Sequence, residues 1–426
     1  MTDVLAEVEA AREDQVGLCL IAAEEPSGVD EALEEACWMR AMDAELVAIR
    51  ENKTWELAAL PPGHRAIGLK WVFKVKRDPV GKIMKHKARL VAKGYSQWQG
   101  VDYDELDASL ASLGFERSPL EHAVYRRSTG AATLLVGVYV DDLIITGGSI
   151  DDIKAFKEQM RRVFDMSDLG LPSYYLGIEV HQKDGQITLC QSAYAMKILE
   201  AAGMRGCNAS DTPMQNRLQL SKTGAGDAVD ATRYRSVVRS LRYLCNTRPN
   251  ITYAVGIVSR YLEAPAELHW AVVKQILRYV SGTLEYGCCY KRGGISAPEV
   301  IGYSDSDHTG NGDDRRSTTG VVFFLNSSVI TWISQKQKVV AISSCEAEYM
   351  AAASAACQGV WLCRLLGELT GDAPNNGEAA HGKVDVDHVG TDGQLADVLT
   401  KALGRIKFIE LRQKLGVVKV ISGHKD

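Results

Sequence analysis

Long apolar runs, a basic leader and paired metal-binding cysteines are all missing from this sequence of 426 residues. The longest early apolar segment, residues 16–23, is too short to cross a bilayer, and Met1-Thr2-Asp3 lacks the positive charge that begins a signal peptide. The ten cysteines include no Cys-x-x-Cys pair, and the adjacent Cys288 and Cys289 cannot form an unstrained bridge. We therefore expect an intracellular protein with no membrane partner, whose cysteines are reduced thiols and not zinc ligands.

An overall surplus of positive charge is also missing, because 49 Lys and Arg stand against 54 Asp and Glu and give a formal net charge of −5. The basic residues are concentrated instead, since residues 70–93 contain nine Lys or Arg and one acid, Asp78. Side-chain classes alternate over Leu69–Lys76, turn residues follow, and Ala88–Ala92 can return as a second strand. This segment is predicted to form a basic β-hairpin, unless it is only a solvated ribbon whose long side chains cover apolar neighbours.

Two adjacent acids interrupt an otherwise apolar stretch, residues 134–146. In Tyr139-Val-Asp-Asp142 they fall where an apolar hairpin would turn. Aspartate is common in such turns, so a solvated turn is one interpretation. The other is metal binding, because nucleotidyl transfer uses two magnesium ions that need carboxylates on a rigid support.

A second acidic set lies in the C-terminal third. Asp305 ends a predicted strand, and Ser343-Ser-Cys-Glu346 has the form of a capping box that begins a helix carrying Glu348. A calcium loop starting at Asp305 is excluded, because its twelfth position would be Arg316, which cannot bind calcium. One acid on a strand and one on a helix can share a metal, although each acid alone is more simply a solvated charge.

The remaining pattern predicts an α+β chain of two or three domains, since 46% hydrophobic and 24% charged residues are ordinary values for globular proteins. The predicted helices cover residues 31–52, 106–113, 153–164, 192–202, 234–244, 251–262, 266–280 and about 344–369. Further strands are predicted at 174–180, 186–190, 300–304, 320–325 and 329–333.

Together these motifs resemble the reverse transcriptase and ribonuclease H part of copia-type retrotransposon Pol polyproteins, and the resemblance extends from Glu31 over most of the chain. It implies a reverse-transcriptase fingers and palm remnant, a helical connection and a ribonuclease H-like α/β domain. The implied divisions are an N-terminal tail at 1–30, reverse transcriptase at 31–215, the connection at 216–298, ribonuclease H at 299–417 and a C-terminal tail at 418–426.

The resemblance also implies roles for individual residues. The catalytic metal ligands for Mg²⁺ would be Asp141, Asp142, Asp305, Glu348 and Asp397. Nucleotide or template phosphates would be held by Lys70, Lys85, Lys87, Arg89, Lys93 and Tyr139. The segment Asp168–Glu179 resembles the region that grips the primer end, while an ordinary strand pair would explain it equally well. The implied partners are RNA template, DNA primer, RNA–DNA hybrid and deoxynucleoside triphosphates, in a cytoplasmic particle or the nucleus.

The sequence departs from this family in two main places. Nothing separates Glu105 from Leu106, where the family carries a palm strand with its first metal-binding aspartate. A similar junction lies near 372–382, where a third ribonuclease H aspartate is expected. In addition, His308 and Arg239 stand where relatives have tryptophan and glycine. We therefore predict a copy defective in both activities, with a non-catalytic nucleic-acid-binding remnant or an unstable gene-model product as alternatives.

Overall fold

The computed structural model describes the chain in two compact units, residues 1–113 and 114–426. The residues it describes are 26, 28–51, 69–77, 83–92, 104–129, 132–140, 142–164, 166–183, 185–223, 225–292, 298–371 and 384–420.

In the first unit, the predicted basic hairpin is confirmed. Strands β1 (Leu69–Arg77) and β2 (Ile83–Ala92) pair antiparallel, and β2 begins five residues earlier than predicted. The helix predicted at 31–52 is divided into α1 (Val29–Ala32) and α2 (Ala36–Glu51). Trp38 of α2 is fully buried against the apolar face of the hairpin.

Helix α3 (Asp104–Ser112) closes this unit and confirms the helix predicted from leucine spacing. The Glu105–Leu106 junction lies inside it, so the backbone forms one continuous helix where the family is expected to carry an additional strand. Gly114 follows with a φ of +80°, a conformation that suits glycine and ends the helix as predicted.

The second unit contains three antiparallel sheets in its described residues. Its strands are β3 (Glu116–Arg117), β4 (Val124–Thr129), β5 (Ala132–Tyr139), β6 (Asp142–Gly147), β7 (Tyr174–Tyr175), β8 (Ile178–Lys183), β9 (Gln186–Cys190), β10 (Tyr286–Lys291), β11 (Val300–Ser306), β12 (Thr318–Leu325), β13 (Ser328–Lys336) and β14 (Val417–Lys419). Its α-helices are α4 (Ile150–Val163), α5 (Ser192–Ala201), α6 (Ala231–Leu244), α7 (Thr252–Val258), α8 (Glu267–Ser281), α9 (Ser344–Thr370) and α10 (Arg405–Lys414).

The first sheet has the strand order β3-β4-β5-β6, and the chain then enters α4. The Ser149 side chain accepts a hydrogen bond from the backbone N–H of Asp152 at 3.3 Å, which caps the helix N-terminus. Acids in the first turn and arginines in the last complement the helix dipole. The sheet therefore leads directly into a well-capped helix.

The second sheet has the order β14-β10-β9-β8-β7 and joins distant parts of the sequence. The single strand predicted at 174–180 is wrong in one respect, because it is broken at Leu176 and Gly177. Both residues have positive φ, 47° and 80°, and so turn the chain between β7 and β8. Strands β10 and β14 were not predicted.

Helices α5 to α8 contribute most of the largest apolar core of the unit. Helices were predicted from the sequence for this middle section, as a connection between two domains. The helix predicted at 251–262 is shorter than expected, because only Thr252–Val258 is α-helical and 3-10 turns flank it. Tyr234, Leu241 and Ile276 have no exposed surface, and the same apolar core continues into β12 and the 3-10 turn Leu395–Leu399. This shared core connects the helical middle to the C-terminal sheet.

The third sheet, β11-β12-β13, confirms the three C-terminal strands, and α9 packs across β11 and β12. The Ser343 side chain accepts from the backbone N–H of Glu346 at 3.1 Å, as the predicted capping box requires. The Glu346 carboxylate instead reaches back to the backbone N–H of Ile342 at 2.6 Å. The long helix therefore begins where the sequence predicts.

Candidate functional site

The hairpin between β5 and β6 places Asp142 at its turn. Tyr139 and Asp142 are direct cross-strand partners, so a two-residue loop connects the strands. Val140 in that loop has a φ of +53° and is 77% exposed. A β-branched residue in this region is strained, and such strain is concentrated at functional turns. Asp142 is exposed as expected for a ligand on a turn, whereas the predicted Asp141 lies outside the described residues.

Of the two strands that hold this turn, β5 lies inside the sheet and β6 lies at its edge. Leu134 and Val136 of β5 are buried, and a Cβ on Gly147 of β6 would approach Leu134 Cδ1 to 2.7 Å. Within the described residues, β6 forms the edge of its sheet and pairs only with β5. The strand that carries Asp142 therefore has no second neighbour there.

A tyrosine cluster lies beside the turn. Burial raises the pKa of Tyr175, and the charge of Asp142 and the nearby Tyr139 raise it further. The Tyr243 hydroxyl donates to the Leu176 carbonyl, which ties α6 to the turn between β7 and β8. The segment that resembles a primer grip therefore lies close to the predicted polymerase residues, which its sequence pattern alone did not establish.

The basic hairpin has one apolar face and one face that carries basic residues together with Val72 and Val91. The aromatic ring of Phe73 packs edge-on against Trp38 with centroids 5.3 Å apart, which uses the apolar face. Side chains alternate between the two faces along each strand, and Lys70, Lys87 and Arg89 occupy positions that place them on the face opposite to Phe73. Lys85 is the cross-strand partner of position 76, but its side chain is not described, and Lys93 lies outside the described residues.

Asp305 begins the second candidate site, on β11 directly opposite Gly320 of β12. A Cβ on Gly320 would lie 2.6 Å from Thr400 Cγ2 and 2.9 Å from Leu399 Cβ. Because the glycine has no side chain, the 3-10 turn Leu395–Leu399 can lie directly on the sheet. This close approach brings Asp397 to Asp305.

The two aspartates share one cation. Lys401 Nζ lies 2.7 Å from Asp397 Oδ1 and 3.3 Å from Asp305 Oδ2. The Thr400 hydroxyl donates to the same Asp305 oxygen. Both aspartates are buried, at 4% and 7% exposure for Asp397 and Asp305. The sequence motif contained Lys401 and Thr400, but their role was missed because spacing alone does not reveal which lysine points inward.

Glu348 completes this set from α9. Its Oε1 accepts a hydrogen bond from the backbone N–H of Ser306 at 3.3 Å, next to Asp305. Partial burial raises the pKa of Glu348, and the charge of Asp305 adds to the effect. Burial likewise raises the pKa of Asp397, with a further increase from Asp305, although the hydrogen bond from Lys401 opposes it. The structure thus places three of the five predicted acids, Asp305, Glu348 and Asp397, near one another.

The second expected junction, near 372–382, lies outside the described residues. The two unusual residues, Arg239 and His308, are both at exposed positions, so neither disturbs a core. Among the described residues, a helix long and apolar enough to cross a membrane was not found.

A family model described as reverse transcriptase (RNA-dependent DNA polymerase) matches residues 52–111 and 105–216. The Pol polyprotein of transposon TNT 1-94 from Nicotiana tabacum is 32% identical over 85% of this chain. A putative transposon Ty5-1 protein of Saccharomyces cerevisiae is 33% identical, and the match covers 81% of its length. The chain belongs to the reverse transcriptase family of copia-type retrotransposon Pol polyproteins.

This copia-type chain spans about a third of the curated polyproteins that it matches, with 34% coverage of the tobacco protein. The Pol polyprotein of transposon RE2 from Arabidopsis thaliana is 28% identical over 516 residues, which include 94% of this chain and 35% of that protein. Because the chain has only 426 residues, at least 90 positions of that alignment have no residue in this chain. No solved structure matches the chain significantly.

Proposed function

We propose that this chain is the reverse transcriptase and ribonuclease H part of a copia-type Pol polyprotein that binds primer–template but does not complete the polymerase metal site. The observation that carries this proposal is the strained Tyr139–Asp142 turn on a strand with an open edge. The family model matches in two segments that overlap at 105–111, inside α3, which supports the loss of a palm segment there.

The missing strand explains why polymerase activity would fail. Two metal ions must contact both the primer 3′ oxygen and the triphosphate, so their ligands have to surround the site. Asp141 and Asp142 would supply one side, and the family's first aspartate would supply the other from the open edge of β6. Without that strand, positioning and charge neutralisation are lost together.

The C-terminal acids suit the Mg²⁺ that the family implies. Asp305, Glu348 and Asp397 offer carboxylate oxygens, the donors that Mg²⁺ prefers. Burial raises the pKa of Glu348 and of Asp397, and the charge of Asp305 raises both further, so a bound cation would be favourable there. These three residues would hold the ion, while Thr400 orients Asp305. When bound, Mg²⁺ would stabilise the negative charge that develops on the scissile phosphate of hybrid RNA.

Nucleic-acid binding would not depend on either metal site. Lys70, Lys87 and Arg89 lie on one face of a hairpin whose other face packs against Trp38, so they can contact a phosphate backbone together. The first unit therefore favours a chain that binds nucleic acid without catalysis.

Primer extension on an RNA template tests the proposal. The unmodified chain should not extend the primer, whereas a chain with the tobacco relative's palm segment inserted between Glu105 and Leu106 should. A Gly/Ser insert of the same length is the matched control and should remain inactive. Restored extension must disappear when Asp141 and Asp142 are changed to Asn.

Extension by the unmodified chain that depends on Asp141 would overturn the proposal, because another acid would then complete the site. The third possibility, an unstable product, is tested in the same preparation by limited proteolysis. It predicts that no protease-resistant fragment survives.

A further inference from the structure

A third group of metal-ligand side chains lies away from both acidic sites, on the β8–β9 hairpin. Glu179 is the cross-strand partner of Cys190, and His181 follows Glu179 by two residues, so all three side chains share one face. Glu179 Oε2 lies 3.5 Å from Cys190 Sγ and 3.7 Å from His181 Nε2. The three ligand atoms all lie within 4.8 Å of one another.

These separations match those of a tetrahedral zinc site. Zinc–ligand bonds of about 2.0–2.3 Å place neighbouring ligand atoms roughly 3.3–3.8 Å apart in a tetrahedron. The separations of Glu179 Oε2 from Cys190 Sγ and from His181 Nε2 fall in that interval, and the remaining pair of atoms lies within 4.8 Å. A mixed set of imidazole, carboxylate and thiolate also favours zinc over magnesium or calcium, which prefer oxygen ligands alone.

Neighbouring groups already orient the ligands. Glu179 Oε1 accepts a hydrogen bond from the backbone N–H of Ala193 at 2.7 Å, which leaves Oε2 facing the other two ligands. The Ser192 hydroxyl donates a hydrogen bond to Cys190 Sγ at 3.5 Å, which helps to hold the thiol in place. Such supporting hydrogen bonds are typical of metal ligands.

The group also has a way in for an ion. Cys190 has no exposed surface, whereas the His181 side chain is 47% exposed. An ion can therefore reach the buried sulfur from the histidine side, where a water molecule would have room to bind as a fourth ligand.

We propose that Glu179, His181 and Cys190 bind one Zn²⁺ ion, with water as the fourth ligand. The site would clip β8 to β9 next to the tyrosine-bearing strand β7. Its Glu179 ends the segment that resembles a primer grip, but the site is separate from both acidic metal sites and does not depend on their proposed chemistry. If confirmed, the site would revise the expectation that no cysteine binds zinc, which rested on the lack of a Cys-x-x-Cys spacing and could not anticipate ligands from paired strands.

Cobalt substitution tests the proposal in the full chain. Metal-free protein is titrated with Co²⁺ in excess Mg²⁺, which competes for the carboxylate sites. We expect a thiolate-to-cobalt charge-transfer band that saturates at one Co²⁺ per chain and disappears when Zn²⁺ is added. Carboxylate sites cannot give this band because they contain no sulfur.

Three variants assign the band to the site. It should be absent in Cys190→Ser and retained in Cys207→Ser, the matched control at another thiol. In His181→Ala the Co²⁺ affinity should fall by more than about tenfold, since a direct ligand is lost. Because His181 is half exposed, this variant tests the site even if the buried Cys190→Ser substitution prevents folding.

The proposal is overturned if the band is absent from the unmodified chain, if it persists in Cys190→Ser, or if His181→Ala binds Co²⁺ as tightly as the unmodified chain.

Discussion

Lys401 donates a 2.7 Å hydrogen bond to Asp397, and this contact neutralises a carboxylate that is almost fully buried. The same ammonium is 3.3 Å from Asp305, so one cation serves two acids. An isolated buried charge is costly, because water no longer solvates it. The metal-free site should therefore depend on Lys401 for its stability.

We expect Lys401→Met to lower the free energy of unfolding in EDTA by about 1–3 kcal/mol, a range reduced because the lysine side chain is 41% exposed. Denaturant titration at neutral pH measures the change, and added Mg²⁺ should recover part of it. Lys414→Met is the control, since its 2.7 Å contact with Glu410 is at the surface and should matter by less than about 0.5 kcal/mol. Equal losses in both variants would show that Asp305 and Asp397 do not rely on Lys401.

Nucleic-acid affinity should depend strongly on salt if the basic hairpin contacts phosphates. The double substitution Lys87→Gln and Arg89→Gln should reduce the slope of log affinity against log salt by about 1.5, because each phosphate contact contributes about 0.7–0.9. Fluorescence anisotropy with labelled RNA–DNA hybrid measures the slope. The charge-matched pair Lys154→Gln and Lys274→Gln, on exposed helix positions, should leave it unchanged. An unaltered slope in the hairpin variant rejects this interface.

Hydrolysis of hybrid RNA in Mg²⁺ should stay at background. Asp305, Glu348 and Asp397 are present, but the segment expected to carry a third aspartate is missing from the sequence near 372–382. A gel assay with end-labelled RNA measures cleavage, and Asp305→Asn provides the baseline. Robust cleavage that is lost in Asp305→Asn would contradict the prediction and would direct attention to exposed acids such as Asp385.

Acidification should destabilise the helical core through His269. Its Nδ1 accepts from the backbone N–H of Ala266 at 3.0 Å, so the ring is neutral, and Nε2 donates to the Ser221 carbonyl at 3.0 Å. Burial lowers the pKa of His269, an effect that the Ser221 contact only partly opposes. The unfolded chain therefore takes up a proton first, and stability is lost as the pH falls through the ordinary value of about 6.5.

The measurement is the difference in unfolding free energy between the unmodified chain and His269→Asn from pH 8 to pH 5. The difference should narrow as the pH falls, because only the unmodified chain loses stability at this position. His388→Asn at an exposed position is the control. A difference that stays constant across this range would contradict the assignment of a neutral buried ring.

The elements with strong periodicity were predictable from the sequence. Alternation over Leu69–Lys76 and the capping residues before Glu346 gave the hairpin and the long helix α9. Strand β4 was missed because Arg126-Arg127-Ser128 lacks apolar alternation, and β10 because its partners β9 and β14 are distant in sequence. Pairing with distant strands overrides local propensity in such segments.

The acids of the candidate sites were predictable, but the contacts that hold them were not. The motifs predicted Asp142 at a turn and a metal shared by Asp305 and Glu348, and the family resemblance added Asp397. The close packing at Gly320 and the inward Lys401 depend on side-chain geometry that no spacing rule encodes. The group around Cys190 was missed for the same reason, since its ligands meet across two strands.

The single basic face of the β1–β2 hairpin has a consequence for movement along a duplex. The lysines and the arginine on this face would contact phosphates and no base edge, and phosphates carry no sequence information. A step of one nucleotide would restore an equivalent set of contacts, so the hairpin would hold its substrate while allowing it to slide.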